Sequence, residues 1–320
     1  MSTNRAEIGM CFPRTYPAAI VTDVAKRLEK GGADQLWFIE DCFYTAGVSL
    51  SAAALAVTDE LRVGLGIVPA VARNAAITAM EFATLCALGP GRFIPGIGHG
   101  VQSWMDQMGA RPSSPLKALA EVLASVRRLL AGERLTMHGQ HVQLDDVQLD
   151  HPPADPPGIL AGVRGPKSMA VAGREAGGVV LAEPASPTYV RWAVDQAGQP
   201  EDFHVAVFSA LCVTGDRAEA FRIMAPWLAS NLERPHVGLT VLPFFDDLAA
   251  RYADQGVDGL ATMPADWWAE LGPIGTLDDA AAHVAALESA RVHSIGLFPS
   301  PEVEVGMNQL DDVFALAGRP

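Results

Sequence analysis

"GRFIPGIGHGVQSW", Gly91–Trp104, carries an apolar run into three glycines, Gly96, Gly98 and Gly100, spaced two apart. That spacing is not the G-x-G-x-x-G that holds a dinucleotide pyrophosphate at a strand-to-helix turn. The residues before it, "AAITAMEFATLCAL" (Ala75–Leu88), read as a helix closed by "GPG". The order is therefore helix, tight turn, short strand and glycine-rich exit, which is one βα unit of a repeating α/β chain.

Working outward, the same unit recurs. Strands are expected at Glu7–Phe12, Gln35–Glu40, Arg62–Val68, Phe93–Gly98, Gly158–Val163, Gly178–Ala182, His204–Val213 and Val292–Phe298, each followed by helical sequence. Their apolar runs suit strands covered on both faces. Eight such units predict a (β/α)₈ TIM barrel rather than an open doubly wound sheet, and Phe12-Pro13-Arg14 after the first strand offers no dinucleotide fingerprint. The pattern breaks twice. "RLTMHGQHVQLDDVQLD" alternates around Gly139 and predicts a β-hairpin within an insertion at about 133–157; a less regular helical insertion is expected at about 233–275. The expectation is one domain over 1–320. The opening stretch becomes the fourth strand and its C-terminal loop, on the face where such barrels build their sites.

Composition narrows the function classes. The 320 residues carry 23 Lys and Arg against 37 Asp and Glu, a net charge of −14. An acidic surface disfavours nucleic acid and anionic membrane as partners. Cys11, Cys42, Cys86 and Cys212 form no C-x-x-C pair, which suits reduced thiols in the cytoplasm. "MSTNRAEIGMCFPRTYP" lacks a signal-peptide core, and no uncharged apolar run reaches membrane-spanning length. The eight histidines show no H-x-x-x-H or H-E-x-x-H spacing, so no metal is expected, and no Gly-x-Ser-x-Gly elbow supports a hydrolase.

"GADQLWFIEDCF", "LRVGLGIVPA", "RNAAITAMEFATL", "ALGPGRFIPGIGHG" and "ILAGVRGPKSMAVAGREAGGVVLAE" resemble, in order and spacing, the bacterial-luciferase-like flavin and deazaflavin oxidoreductases. The resemblance covers about Ile8–Glu183, and "VHSIGLFPSPE" fits the family's last strand. It is nearest in character to the F420-dependent methylene-tetrahydromethanopterin reductase-like proteins.

The resemblance implies a cis peptide at Gly66–Ile67, forming a bulge behind the cofactor ring. Gly64 and Gly66 would let the backbone approach a flat ligand, close strand packing being the plainer alternative. Gly98, His99 and Gly100 would offer amides and an imidazole to the cofactor, with Trp104 walling the pocket; His99 as a purely structural histidine is the rival. Gly162, Val163, Arg164, Gly165, Lys167 and Ser168 mark a strand exit and helix start where free amides and the helix dipole favour the cofactor phosphate. Lys167 facing solvent is the rival there. Many F420-binding relatives read Asp-His after the second strand. Here Asp41-Cys42 stands, preceded by Glu40: Asp41 would hold the deazaflavin edge, and Glu40 or Cys42 would handle the proton. Val101 occupies the place of a catalytic glutamate in the sugar-phosphate dehydrogenase branch, which argues against that chemistry. Glu183 and Glu302 are further candidates to face substrate; Trp267 and Trp268 fit core packing.

The expected activity is hydride transfer between coenzyme F420 and a C=C or C=N of a small organic substrate, in a homodimer as is common in the family. Two alternatives stand: an FMN-dependent monooxygenase using reduced flavin and O₂, and a non-catalytic cofactor-binding protein.

Overall fold

In the computed structural model, which describes residues 5–319, eight parallel strands close into a barrel. They are Glu7–Cys11, Gln35–Phe38, Arg62–Pro69, Phe93–Gly98, Leu160–Gly162, Gly178–Leu181, His204–Ala210 and Ser294–Phe298. Each pairs with its neighbours in chain order, and the first closes on the eighth in the register Glu7↔Ser294 to Met10↔Leu297. Met1–Asn4, part of the N-terminal stretch read for a signal peptide, and Pro320 lie outside the described residues.

All eight expected strands are present, most with ends shifted by a residue or two, and three differ in ways that shape the molecule. The second stops at Phe38, so Ile39, Glu40 and Asp41 turn across the top of the barrel instead of continuing the ladder. The fifth narrows to Leu160–Gly162. The run His204–Val213 is two strands, not one. Leu211 N–H donates to the Phe298 carbonyl at 2.8 Å. Cys212–Val213 then leaves the barrel to pair with Ile274–Gly275. An apolar run continuous in sequence thus serves two sheets, because Ala210 is buried in one and Cys212 in the other.

The barrel interior is filled from alternate positions of the strands by Cys11, Trp37, Ile94, Leu160, Val180, Ala206 and Phe208. Trp37 meets Phe208 edge-on at 5.3 Å, and Phe208 meets Phe298 at 5.8 Å. Gly64 makes room for this stack: a Cβ there would sit 2.2 Å from the Trp37 ring. Gly64 therefore follows the close-packing alternative, and the interior is a packed plug on which the site rests. Beneath it lies a polar floor. Trp37 Nε1 donates to Gln35 Oε1 at 2.8 Å, Gln35 Nε2 donates to Ser294 Oγ at 2.9 Å, and Arg62 pairs with Glu7. These bonds satisfy groups that would be costly to bury alone.

The helices carry their own sequence logic. Val21–Gly31 buries Val24, Ala25 and Leu28 and ends on Gly32, whose φ of 80° suits glycine. Pro115–Leu130 starts with a Ser114 cap and proline in the first turn. Gly47–Ala56 and Ala75–Leu88 differ: they hold a single charged residue between them, Glu81, and present apolar side chains all round. Leu135–His138 and Gln143–Val147 form the hairpin around Gly139. Beyond the seventh strand, Arg217–Glu233, Val237–Thr240, Phe245–Ala261 and Ala265–Leu271 pack around a core of their own. There Trp268 stacks on Phe221 at 5.2 Å, and Trp267 on Phe244 at 4.9 Å.

Candidate active site

Two hollows open at the C-terminal ends of the barrel strands. The smaller, about 490 Å³, is a cleft lined by Glu40 and Asp41 after the second strand, and by Gly66, Ile67 and Pro69 of the third. His99, Gly100, Val101 and Trp104 follow the fourth strand; Gly162, Val163, Arg164, Gly165 and Ser168 come from the fifth and its helix. The larger, about 950 Å³, lies over the first, seventh and eighth strand ends, with Ile223, Met224 and Trp227 of helix Arg217–Glu233 along one side. Asp41, Glu183 and Phe298 line both.

The third strand shapes the cleft. Gly66–Ile67 is a cis peptide, and pairing with the fourth strand shifts register between Leu65 and Val68. The bulge delivers Ile67 into the space between strands. A Cβ on Gly162 would sit 2.6 Å from Ile67 Cγ2, and one on Gly98 would approach Ile67 Cδ1 and the Gly162 carbonyl at 2.9 and 2.7 Å. Gly98 does not line the cleft; with Gly162 it makes the slot that seats Ile67.

His99 Nε2 lies 2.9 Å from Ser168 Oγ, joining the fourth-strand loop to helix Pro166–Glu175. Burial lowers the imidazole's pKa, against an opposing contact with the Pro115 backbone, so His99 sits in the cleft as a neutral polar group. The helix begins at Gly165 with no acidic residue in its first turn. Gly165 offers no side-chain cap and Pro166 carries no N–H, so the first-turn amides of Lys167 and Ser168 have no capping side chain. Arg164 lines the cleft beside them, whereas Lys167 is exposed and does not. An anionic group is stabilised at such an end by unpaired amides and the helix dipole together.

The residues after the second strand separate into different roles. Glu40 accepts a two-pronged ion pair from Arg73, Nη2 standing 2.7 Å from Oε2, and also accepts from Gly47 N–H at 3.0 Å. Arg73 in turn reaches Glu81 at 3.0 Å. Both Glu40 oxygens are thereby engaged in anchoring the second-strand exit to the helix Ala75–Leu88. Asp41 pairs with Arg14 at 2.9 Å, and Arg14 lies over the Tyr44 ring at 4.9 Å. Cys42 lines neither hollow; burial, then the charges of Glu40 and Asp41, raise its thiol's pKa. Glu302 is exposed at the start of helix Val303–Asn308 and lines neither hollow. Glu183 lies at the junction.

Sequence reasoning did not reach Arg14, Arg73, Phe208 or Phe298. Arg73 carried a usable signal: a lone arginine just past a strand end, in the first residues before a helix. Phe208 and Phe298 carried none, since a strand's alternation does not say which face looks inward.

The cleft suits a flat, phosphate-bearing cofactor on two observations. Ile67 is held as a shelf by glycines that a Cβ would crowd, and an open helix N-terminus stands at the other end. A family model described as luciferase-like monooxygenase matches residues 10–294. The 5,10-methylenetetrahydromethanopterin reductase of Methanolobus tindarius is 32% identical over 200 residues, 62% of this chain and 56% of that enzyme. The match thus takes in little more than half of the reductase's length. The F420-dependent glucose-6-phosphate dehydrogenase of Nakamurella multipartita is 26% identical over 239 residues, 67% of this chain and 69% of the relative. In three dimensions an F420-dependent secondary alcohol dehydrogenase, solved with an F420-acetone adduct, aligns with a TM-score of 0.76 at 20% identity, over 99% of this chain and 100% of that one. A closed eight-stranded barrel, a bulged third strand and a family match spanning most of the chain converge: this protein belongs to the luciferase-like monooxygenase family.

Proposed function

We propose that this protein is an oxidoreductase that moves a hydride between coenzyme F420 and the C=C or C=N of an organic substrate. The observation that carries this reading is the pairing of the two hollows: a polar-ended cleft with a bulged floor, sharing Asp41, Glu183 and Phe298 with a roomier apolar chamber. The printed activities of the reductase and dehydrogenase relatives support F420 as the cofactor.

The residues divide the work as follows. Ile67 backs the ring, and neutral His99 and Ser168 offer hydrogen bonds across it. Gly165, Arg164 and the first turn of helix Pro166–Glu175 hold the phosphate. Asp41, steadied by Arg14 in the loop after the second strand, would hold the ring edge. Glu40 acts through Arg73 to hold that loop in place. Reduced F420, when bound, supplies a hydride from carbon 5 of its deazaflavin. The protein contributes positioning and exclusion of water from the reacting pair.

A homodimer fits the surface. Helices Gly47–Ala56 and Ala75–Leu88 hold one charged residue, yet Ile77, Met80 and Leu88 remain 44–50% exposed. An acidic chain that leaves such a face uncharged suits it to pairing with a second copy. Four free cysteines, three of them buried, support a cytoplasmic location, and no helix among the described residues is long and apolar enough to cross a membrane.

The test is a parallel fluorescence titration of the purified protein with F420 and with FMN. Tighter binding of F420, followed by its reoxidation on addition of an acceptor, is the expected outcome. Tighter FMN binding with O₂-dependent product formation would replace this reading by a flavin monooxygenase. Cofactor binding without any hydride exchange would leave a non-catalytic binding protein.

A further inference from the structure

Among the described residues four carboxylates line the two hollows, and two of them are paired. Glu40 is engaged by Arg73 and Gly47, and Asp41 by Arg14; Asp312, its pKa also raised by burial and then by Asp311, has no side-chain partner but lines the large chamber only. Glu183 lines both hollows, and among the described residues its carboxyl makes neither an ion pair nor a hydrogen bond to another residue's side chain.

Its backbone is held from outside the barrel. His236 Nε2 lies 3.1 Å from the Glu183 carbonyl, and His236 Nδ1 accepts from Gly238 N–H at 3.0 Å. An N–H can only donate and a carbonyl can only accept, so these two bonds require the proton on Nε2. His236 thereby ties the loop after the sixth strand to the helical region beyond the seventh. A Cβ on Gly238 would come within 2.8 Å of the Pro184 carbonyl, so the two segments are in close contact.

We propose that the Glu183 carboxyl donates the proton that completes reduction of a neutral, largely apolar acceptor seated in the large chamber, and that His236 is the residue positioning it. The proposal rests on the hydride-transfer reading above. The acceptor's electrophilic carbon takes the hydride with both its electrons, and the π pair shifts to the second atom of the C=C or C=N. That atom takes the proton from the Glu183 carboxyl, which is left as carboxylate and regains its proton from water; the deazaflavin is oxidised as the acceptor is reduced.

The surroundings agree. Leu211, Ile223, Met224, Trp227 and Val305 give the chamber apolar walls. Among the described residues its one lysine or arginine, Arg14, is already paired with Asp41, so an anionic acceptor finds no free cation among them. Burial raises the Glu183 pKa, and nearby Asp41 adds to this; a hydrogen bond from its own backbone N–H, then Arg164 and Arg14, oppose it. Of the other titratable groups around it, buried Cys11 has its own thiol raised by burial and by Glu183, and His236 is lowered to about 4 by burial and then Arg164. His236 therefore stays neutral at pH 7 and keeps the tautomer the contact requires.

The experiment compares wild type, E183Q and H236N. In ligand-free protein, infrared difference titration should show a carboxylic C=O band in wild type that persists above the usual glutamate range and is missing from E183Q. H236N keeps a helix-capping acceptor for Gly238 but is too short to reach the Glu183 carbonyl, so it should shift that band's midpoint. With F420, the affinity of each variant is measured first and turnover is then compared at saturating cofactor. Reduction of trans-2-hexenal and trans-2-dodecenal by reduced F420 should fall about 10²-fold or more in E183Q, with loss of the alkaline limb of the pH profile. H236N should fall less, with that limb displaced, and dodecenal should show the lower KM. Wild-type turnover and an unchanged limb in E183Q would overturn the proton-donor assignment while leaving the hydride-transfer reading standing. An unmoved midpoint and limb in H236N would overturn the positioning role. Reduction of neither enal by protein that binds F420 would overturn the acceptor class. Failure of wild type to bind F420 would overturn the underlying reading and this proposal with it.

Discussion

Replacing Arg73 with methionine should lower stability more than any other single surface-reachable change at the site. The guanidinium spans Glu40 and Glu81, and the three side chains are 19%, 10% and 25% exposed, so water screens them little. Methionine keeps much of the stem's packing but leaves two half-buried carboxylates facing each other without their cation. Breaking a buried pair by removing one partner costs about 3–5 kcal/mol, and the residual exposure points to the lower end, about 3 kcal/mol. At roughly 2.1 cal/mol/K per residue, a chain of this length has an unfolding entropy of about 0.7 kcal/mol/K, so the midpoint should drop by about 4 °C. Thermal unfolding followed by circular dichroism measures this. The double variant R73M/E40Q should be less destabilised than the two single changes added together, because removing Glu40 relieves the orphaned charge. Cofactor affinity should fall with R73M as well, since Glu40 adjoins Asp41 on the loop that lines the cleft. A midpoint within 1 °C of wild type, or strict additivity in the double variant, would refute the anchoring role of the triad.

Three further outcomes are expected. G162A places a methyl 2.6 Å from Ile67 Cγ2, which must push the shelf into the cleft; F420 affinity should drop at least tenfold with the fold retained, and unchanged affinity would show that Ile67 does not back the ring. His204 and His236 both have their pKa lowered to about 4 by burial, so the unfolded chain takes up protons first as pH falls. Their stabilising effect is complete above about pH 6.5 and is lost between there and about pH 4; urea unfolding should show that decline, and H204Q should flatten it. M80E combined with I77E should convert a dimer into a monomer in sedimentation equilibrium, whereas an unchanged mass would exclude this face as the interface.

Much of the architecture was legible before any coordinates. Strands covered on both faces must be apolar throughout, most helices between them carry an apolar stripe, and glycine and proline mark the exits; eight repeats of that pattern leave few topologies besides a closed barrel. Asp41 and Ile67 follow from the family resemblance, and His99, Gly165 and Ser168 also from their places at strand exits, which a barrel gathers on one face. They do line one cleft.

What the linear order could not carry is which side chain answers which. Glu40 and Cys42 look alike as candidates to move a proton, and Glu183 only as one to face substrate, since each is a polar residue just past a strand. Only the folded chain sets Arg73, 33 positions away, against Glu40, and turns Cys42 out of both hollows. It likewise brings His236, 53 positions on, to the Glu183 backbone. Gly98 and Gly162 read as open amides for a ligand, yet they pack against Ile67, because a bulge on the neighbouring strand fills the space their missing side chains leave. Secondary structure follows from local periodicity, which the sequence contains. Charge pairing, burial and the shape of a cavity depend on contacts between distant segments, and those exist only once the barrel has closed.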